Sequence, residues 1–373
     1  MTSGGTGTVL AVYVVWHPLY ERGAELADSM FRSLCGDPSL PAVRGLGIPV
    51  RFRTSESSDT RPGPISFESA QHSAVFVLID DEMVAAGWDD YLEELASSAT
   101  NGHLLVPVAL TRNALNINPK LSSLQFARVY DVEMSEVETV LLNRVMHDLC
   151  CLLRSDSSKV QVFISHSKRD GLEIARDVRR HLHEQTSLGD FFDATDIPDG
   201  TRFAEIIGAA VGSSSVLLVI HTDSYGSREW CRLEVLEAKR RRIPIVVLAA
   251  VERGEVRSFP YLGNLPVIRW GAGSDASIEH IVTALLREVL RGRYFPLRVE
   301  AIRGLLGLQS GGAAHVYPPE LLTALLVRVE KGEKPSGMYL YPDPPLGNEE
   351  LQLLSDLDPT LEPITLTMLI ARE

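Results

Sequence analysis

No apolar run in this 373-residue chain is long enough to span a bilayer, which excludes a helical membrane anchor within it. No basic stretch precedes Val9–Trp16, so that segment is expected to be a strand and not a signal peptide. Cysteine is scarce: there are four, Cys150 and Cys151 are adjacent, and none stands at paired spacing. A disulfide framework and a zinc site are therefore not expected, and reduced thiols point to a cytoplasmic protein. Positive charge is also short. Thirty-six Lys and Arg against 49 Asp and Glu leave a net charge of −13, which argues against a general nucleic-acid surface. The run Arg240-Arg241-Arg242 stands at a helix end, where cations meet the dipole favourably, and reads as a solvated cap. Ser3-Gly4-Gly5-Thr6-Gly7 precedes a strand instead of following one, so it lacks the setting of a phosphate loop. What remains is a cytoplasmic, multidomain chain with 45% hydrophobic residues, enough for two or three cores.

The most informative stretch is Trp230-Cys231-Arg232-Leu233-Glu234. On a helical wheel Trp230, Cys231, Leu233, Val235 and Ala238 form an apolar arc, and Glu234 falls inside it. A carboxylate on the packed side of a helix is costly unless it is paired or used. Upstream, Ser213–His221 is an apolar run of strand length, and Ser224-Tyr225-Gly226-Ser227 is a polar turn with Ser227 as candidate N-cap. Glu234 thus sits in the first turns of a helix just past the carboxyl end of a strand, the edge where open α/β sheets bind ligands. Glu237 is the poorer candidate, because Arg241 four residues on offers it a helix salt bridge.

The surrounding pattern alternates. Lys159–Ile164 reads as a strand ending in Ser165-His166-Ser167-Lys168-Arg169-Asp170, followed by a helix with Leu172, Ala175, Val178 and Leu182. Phe191-Phe192-Asp193 leads into a loop containing Asp196, Ile197, Pro198, Asp199 and Gly200, then a helix with Phe203, Ile206, Ile207 and Ala210. Strands at Ile243–Leu248 and Leu265–Trp270 and a helix at Ile278–Leu290 complete a doubly wound parallel sheet.

Three of these motifs, in order, carry a family resemblance. Val162–His166, Phe192 to Gly200, and Ser227–Glu234 resemble the first box, the mobile loop and the Trp-Cys-x-x-Glu helix of a bacterial Toll/interleukin-1 receptor (TIR) domain of the NAD-hydrolase type. The resemblance implies a flavodoxin-like α/β fold and NAD glycohydrolysis, with NAD as substrate and no cofactor or metal. It implies that Glu234 is the catalytic carboxylate. It places Ser165, His166 and Arg169 on the nucleotide side and Trp230 beside the site, each against a blander reading. Ser165 as a helix cap, Arg169-Asp170 as a surface pair and Trp230 as core are those readings. The loop Asp193, Asp196, Ile197, Pro198, Asp199 and Gly200 is implied to mediate self-association between TIR domains, the blander reading being a tight turn with Gly200 at a positive φ. The family role is anti-phage defence, in which an activating protein or nucleotide signal leads to NAD depletion or conversion to a cyclic product. The runner-up is a non-catalytic TIR scaffold for protein assembly. A phosphoacceptor receiver domain is set aside, because Ser165-His166-Ser167-Lys168 stands where it needs an acidic pair.

Residues 8–150 repeat the same order of elements at an offset near 140. Val9–His17, Ile48–Phe52, Ala74–Ile79, Leu104–Val108 and Phe126–Tyr130 read as its strands, and Trp88 falls where Trp230 falls. Leu92 stands in the glutamate register, with Glu93 about 100° away. The expected organisation is therefore a degenerate TIR-like domain at 1–155, a catalytic TIR domain at 156–296, and a small α/β region of unknown role at 297–373. In that last region Leu297–Leu306 and Pro318–Val329 read as helices, Met338–Tyr341 as a strand, Asn348–Leu357 as a helix and Ile364–Ile370 as a strand.

Overall fold

Five short strands, β1 (Leu10–Trp16), β2 (Val50–Arg53), β3 (His72–Ile79), β4 (Leu104–Ala109) and β5 (Ala127–Arg128), pair in parallel in the order β2-β1-β3-β4-β5. The computed structural model describes residues 7–40, 43–57, 60–99, 102–154, 160–185, 192–193, 215–255, 258–274, 276–308, 313–322 and 338–372. The chain divides into two units, Met1–Leu153 with Leu297–Gln309, and Arg154–Pro296 with Ser310–Glu373. Residues 297–373 thus divide between the two.

In the first unit β1 is buried along its whole length, as its unbroken apolar run requires of a strand covered on both faces. Its helices are α1 (Glu21–Leu34), α2 (Asp81–Ala85), α3 (Asp89–Ser98), α4 (Pro119–Ser122) and α5 (Val137–Leu152). Leu26, Met30 and Leu34 give α1 its buried stripe at helical spacing. Alternate residues Ala11, Tyr13 and Val15 of β1 pack with Trp88, Tyr91 and Leu92 at the start of α3. Leu92 is therefore a core residue, while Glu93 points outward and pairs with Lys120 at 2.9 Å.

On α5, His147 lies 3.4 Å from the Asp148 carboxylate and 3.8 Å from the Cys151 sulfur. The Asp148 contact, then the Cys151 contact, raises the imidazole to about 9 against the opposing effect of burial. A folded-state value above the ordinary 6.5 means that the contribution is complete below pH 6.5 and is lost as pH rises toward 9. We expect urea melts of the wild type to lose stability over that window and His147→Gln to flatten this part of the profile. An unchanged slope in the variant would assign the pH dependence elsewhere.

The second unit repeats the strand order. β6 (Val162–His166), β7 (Phe192–Asp193), β8 (Val216–His221), β9 (Ile245–Ala249) and β10 (Val267–Arg269) form a parallel sheet in the order β7-β6-β8-β9-β10. Counted from its own first strand this is 2-1-3-4-5, as in the first unit, which is the flavodoxin-like order. Helices α6 (Leu172–Gln185) and α7 (Glu229–Arg240) belong to this run, as does α8 (Ile278–Leu306) up to Pro296. A small parallel sheet, β11 (Ala313–Ala314), β12 (Met338–Tyr341) and β13 (Glu362–Thr365), follows with α9 (Asn348–Leu357) and α10 (Leu366–Arg372).

Several local expectations change. The helices expected at Ile278–Leu290 and Leu297–Leu306 are one continuous element of 29 residues, with Pro296 inside it. Proline removes a single backbone donor, and the carbonyl that loses it is that of Gly292 four residues earlier. The strand expected at Ile364–Ile370 ends at Thr365, whose hydroxyl accepts from the Met368 N–H at 3.3 Å and starts α10. Ser227 does not cap α7. It closes a short 3₁₀ turn, Tyr225–Ser227, its hydroxyl donating to the Ser224 carbonyl at 2.7 Å, so that Arg228 takes the cap position. The helix expected around Phe203–Ala210 and most of the one expected at Pro318–Val329 lie outside the described residues.

Candidate active site

In this strand order the chain turns one way from β6 and the other way from β8, so a crevice opens between their carboxyl ends. His166 at the end of β6 is level with Ile220 of β8, which brings Ser165–Asp170 face to face with Thr222–Tyr225. Two polar networks are built across this seam.

The outer one is centred on Asp170. Its carboxylate accepts from Thr222 Oγ1 at 2.7 Å, from the Ser224 N–H at 2.9 Å and from Ser224 Oγ at 2.6 Å. Ser167 and Ser224 share a further hydroxyl contact at 2.6 Å. Burial pushes the Asp170 carboxyl upward, but the hydrogen bonds from Ser224 and Thr222 outweigh it and leave it below the usual aspartate range. Asp170 is thus a brace between the two loops, and not one half of a surface pair with Arg169. A depressed folded-state value stabilises above the unfolded carboxylate range and is lost as pH falls through the folded value. We expect Asp170→Asn to cost about 1 kcal/mol or less in urea melts at pH 7, because Asp170 is exposed and solvent screens its charged hydrogen bonds. The gap to wild type should close as pH falls below the ordinary aspartate range, and a gap that stays constant with pH would reject the brace.

The inner network joins Ser165, Tyr225 and Glu234. The face of α7 that packs inward carries Cys231, Glu234, Val235, Ala238 and Lys239. Glu234 is 2% exposed, and Ser165 Oγ donates to its Oε2. The Ser165 and Tyr225 hydroxyls are 2.6 Å apart. A serine has one proton to give, so with that proton on Glu234 the tyrosine must donate to Ser165. The chain of donors therefore runs Tyr225 to Ser165 to Glu234. Burial, then the neighbouring Cys231 and Glu234 side chains, raises the Tyr225 phenol well above its ordinary value, which keeps it a donor. Burial and Glu234 push the Cys231 thiol up to about 12. Cys231 is thus a neutral side chain, and its sulfur lies 3.7 Å from the His166 carbonyl.

The other sequence candidates divide. Ser165 and His166 are buried at the carboxyl end of β6, beside Glu234 and Cys231 respectively. Trp230 and Leu233, expected on the apolar arc, are 44% and 39% exposed. The buried stripe is centred on Cys231, Val235 and Ala238, and at about 100° per residue Leu233 falls roughly 160° from Cys231. Arg169 is exposed and, with Arg232 and Arg253, lines a neighbouring cleft of about 740 Å³ at the ends of β8 and β9. The far wall of that cleft is pinned by Asp223, whose carboxylate accepts from the N–H groups of Glu252, Arg253 and Gly254. Of the loop, Asp193 ends β7, whereas Asp196, Ile197, Pro198, Asp199 and Gly200 lie outside the described residues. Glu237 makes the expected helix pair with Arg241, at 2.6 Å. Sequence reasoning missed Tyr225 and Asp170 as parts of the site. For Tyr225 the available signal was an aromatic residue inside an otherwise small, polar turn.

Residues 162–282 match the family model of the TIR domain. A stretch of 94 residues is 33% identical to a probable 2′ cyclic ADP-D-ribose synthase of Brachypodium distachyon. That match covers 24% of this chain and 41% of the relative, so the chain spans about two fifths of the length of the curated protein it resembles. Among solved structures, the C-terminal domain of glucosamine-fructose-6-phosphate aminotransferase from Francisella tularensis overlaps 77% of this chain and 84% of its own. At 10% identity and a TM-score of 0.22 that overlap carries no argument.

Proposed function

We propose that the TIR domain at residues 162–282 cleaves the nicotinamide–ribose bond of NAD, with Glu234 as the catalytic carboxylate. The observation that carries this reading is the position of Glu234. It is an acid on the packed face of α7, held by an ordered Tyr225–Ser165 donor chain at the crevice between β6 and β8. The relative named as a cyclic ADP-ribose synthase supports the same chemistry.

The reaction asks little else of the protein. Nicotinamide leaves as a neutral base, taking the electron pair of the C1′–N bond, so no general acid is needed. Positive charge then spreads over the ribose ring, as in glycoside hydrolysis. A carboxylate fixed by hydrogen bonds stabilises that charge without reorganising. Water attacks C1′ and loses a proton to give ADP-ribose, or a nucleophile within the same molecule closes a cyclic product. On this reading Arg169 and the residues at the carboxyl end of β6, Ser165 and His166, orient the phosphates and ribose.

At 2% exposure Glu234 is covered in this state, so turnover requires the site to open. We read this as a resting form with low activity, activated by self-association through Asp193–Gly200 in the anti-phage role that the family resemblance implies. Charged substitutions at Ile197 and Asp199 should abolish any rise of specific activity with protein concentration. A monomer at full activity, or unchanged activity in those variants, would reject the assembly step. The first unit, with Leu92 in place of the acid, is read as a degenerate TIR-like partner that cleaves no NAD.

One observation favours a second reading, a TIR scaffold without catalysis: a buried, hydrogen-bonded glutamate is also what a structural brace looks like. Incubating the full chain with NAD, with and without lysate from phage-infected cells, separates the two. Nicotinamide with ADP-ribose or a cyclic isomer in the mass spectrum supports the enzyme. Intact NAD under both conditions supports the scaffold.

A further inference from the structure

We infer that the second unit holds a separate binding site for a small planar carboxylate, in a cavity at the amino edge of its sheet. The cavity measures about 240 Å³. Its lining includes Arg242 and Ile243, which lead into β9, and Leu265, which precedes β10. It therefore lies at the end of the sheet opposite the Ser165–Tyr225–Glu234 network.

Three features define what the cavity takes. The first is charge. Lys239, Arg240 and Arg242 contribute to the wall. Lys239 is 9% exposed and ion-paired with Glu320, so its buried ammonium depends on a carboxylate at this position. The second is a flat aromatic wall. His315 and Tyr339 stack with ring centroids 3.6 Å apart and planes within 6°, and the pair borders the cavity. Such a wall suits a ring laid flat or edge-on. The third is size. Pockets for drug-sized ligands run from about 300 Å³ upward, so this one suits a single ring and excludes a dinucleotide such as NAD.

The site is also framed rigidly. The Tyr317 hydroxyl donates to Glu288 Oε2 at 2.6 Å, and Arg291 holds the other oxygen of the same carboxylate at 3.2 Å. The carboxylate of an incoming ligand would replace that of Glu320 on Lys239. Glu320 keeps a side-chain exposure of 25% and can turn to solvent when displaced, whereas Lys239, at 5%, cannot. The present ion pair is thus a stand-in for the ligand, made by a residue of the same chain.

The test uses benzoate as probe and benzamide, its neutral isostere, in thermal melts and calorimetric titration of the full chain. Benzoate should raise Tm saturably and benzamide should not. Lys239→Met, which keeps the apolar stem, should remove the benzoate response. Glu320→Gln should strengthen it, lowering the apparent Kd by roughly threefold or more as the internal competitor is lost, or about 0.7 kcal/mol. Opposite effects from the two halves of one ion pair are not expected of a merely structural bridge. Glu234→Gln should leave the response unchanged, which separates this site from the proposed active site whatever becomes of the NAD reading. No saturable response up to about 10 mM, where even millimolar affinity would register, would overturn the inference. So would an equal response to benzamide, a response that survives in Lys239→Met, or one that disappears in Glu234→Gln.

Discussion

Glu234→Gln should reduce NAD cleavage by the activated protein by at least about 100-fold, the scale on which a fixed electrostatic contact to a developing charge acts. The substitution keeps the shape of the side chain and an oxygen that accepts from Ser165, so the inner network survives in outline. What disappears is the negative charge opposite the ribose cation. The measurement is turnover of a fluorogenic NAD analogue, with melting temperature and elution volume followed in parallel. A folded variant with near-normal turnover would refute Glu234 as the catalytic group. Because the same variant leaves the first unit untouched, residual activity would also reveal catalysis there, where Leu92, read as the counterpart of Glu234, is buried among apolar neighbours. A variant that cannot fold would point to the structural reading, and Ser165→Ala then decides. It removes the donor to Glu234 without removing the charge. A catalytic Glu234 predicts a folded protein with lowered kcat, and a brace predicts lost stability with nothing catalytic to lose.

Tyr225→Ala should cost the second unit about 3–5 kcal/mol of stability, the usual range for deleting a large buried aromatic. Tyr225 is fully buried and packs edge-to-face against Phe259 at 5.4 Å, in the core that holds Phe163, Leu217 and Val235. Its hydroxyl is also the first donor in the chain that ends on Glu234. Tyr225→Phe isolates that second role. It keeps the ring and should cost only about 1–3 kcal/mol, the penalty for a buried hydroxyl contact left half made. Urea unfolding of both variants checks the ranking. Equal losses would mean that the hydroxyl, and not the ring, carries the stability. A loss below about 1 kcal/mol for Tyr225→Ala would mean that the core around it collapses freely.

Much of this protein could be read from periodicity. Unbroken apolar runs at Leu10–Trp16, Ala74–Ile79, Val216–Ile220 and Ile245–Ala249 became buried parallel strands, and helices with regular apolar spacing fell between them. The inward placement of Glu234 was legible for the same reason, since one residue is about 100° of helix and Glu234 falls roughly 40° from Ala238, at the edge of the buried arc of Cys231, Val235 and Ala238. Trp230 was misplaced by that logic. A wheel records hydrophobicity but not which sector a neighbouring strand covers, and here the covered sector stops short of Trp230. The joined helix Ile278–Leu306 was hidden by Pro296, which argues for a break locally and is overridden by the packing of the residues on either side.

What the amino-acid order determined by itself was the set of elements and the chemical types available at their ends: a serine and a histidine closing one strand, a carboxylate early in one helix. Strand order and partnership were decided only in three dimensions. The pairing of β6 with β8 brings Ser165 within reach of Tyr225, 60 residues away, and of Glu234, 69 residues away. The same pairing sets Asp170 against Thr222 and Ser224. The physical reason is that hydrophobic periodicity is a local signal, spent within one or two turns of chain. The hydrogen bonds that make a buried carboxylate tolerable are long-range, and they exist only once the sheet has placed their donors.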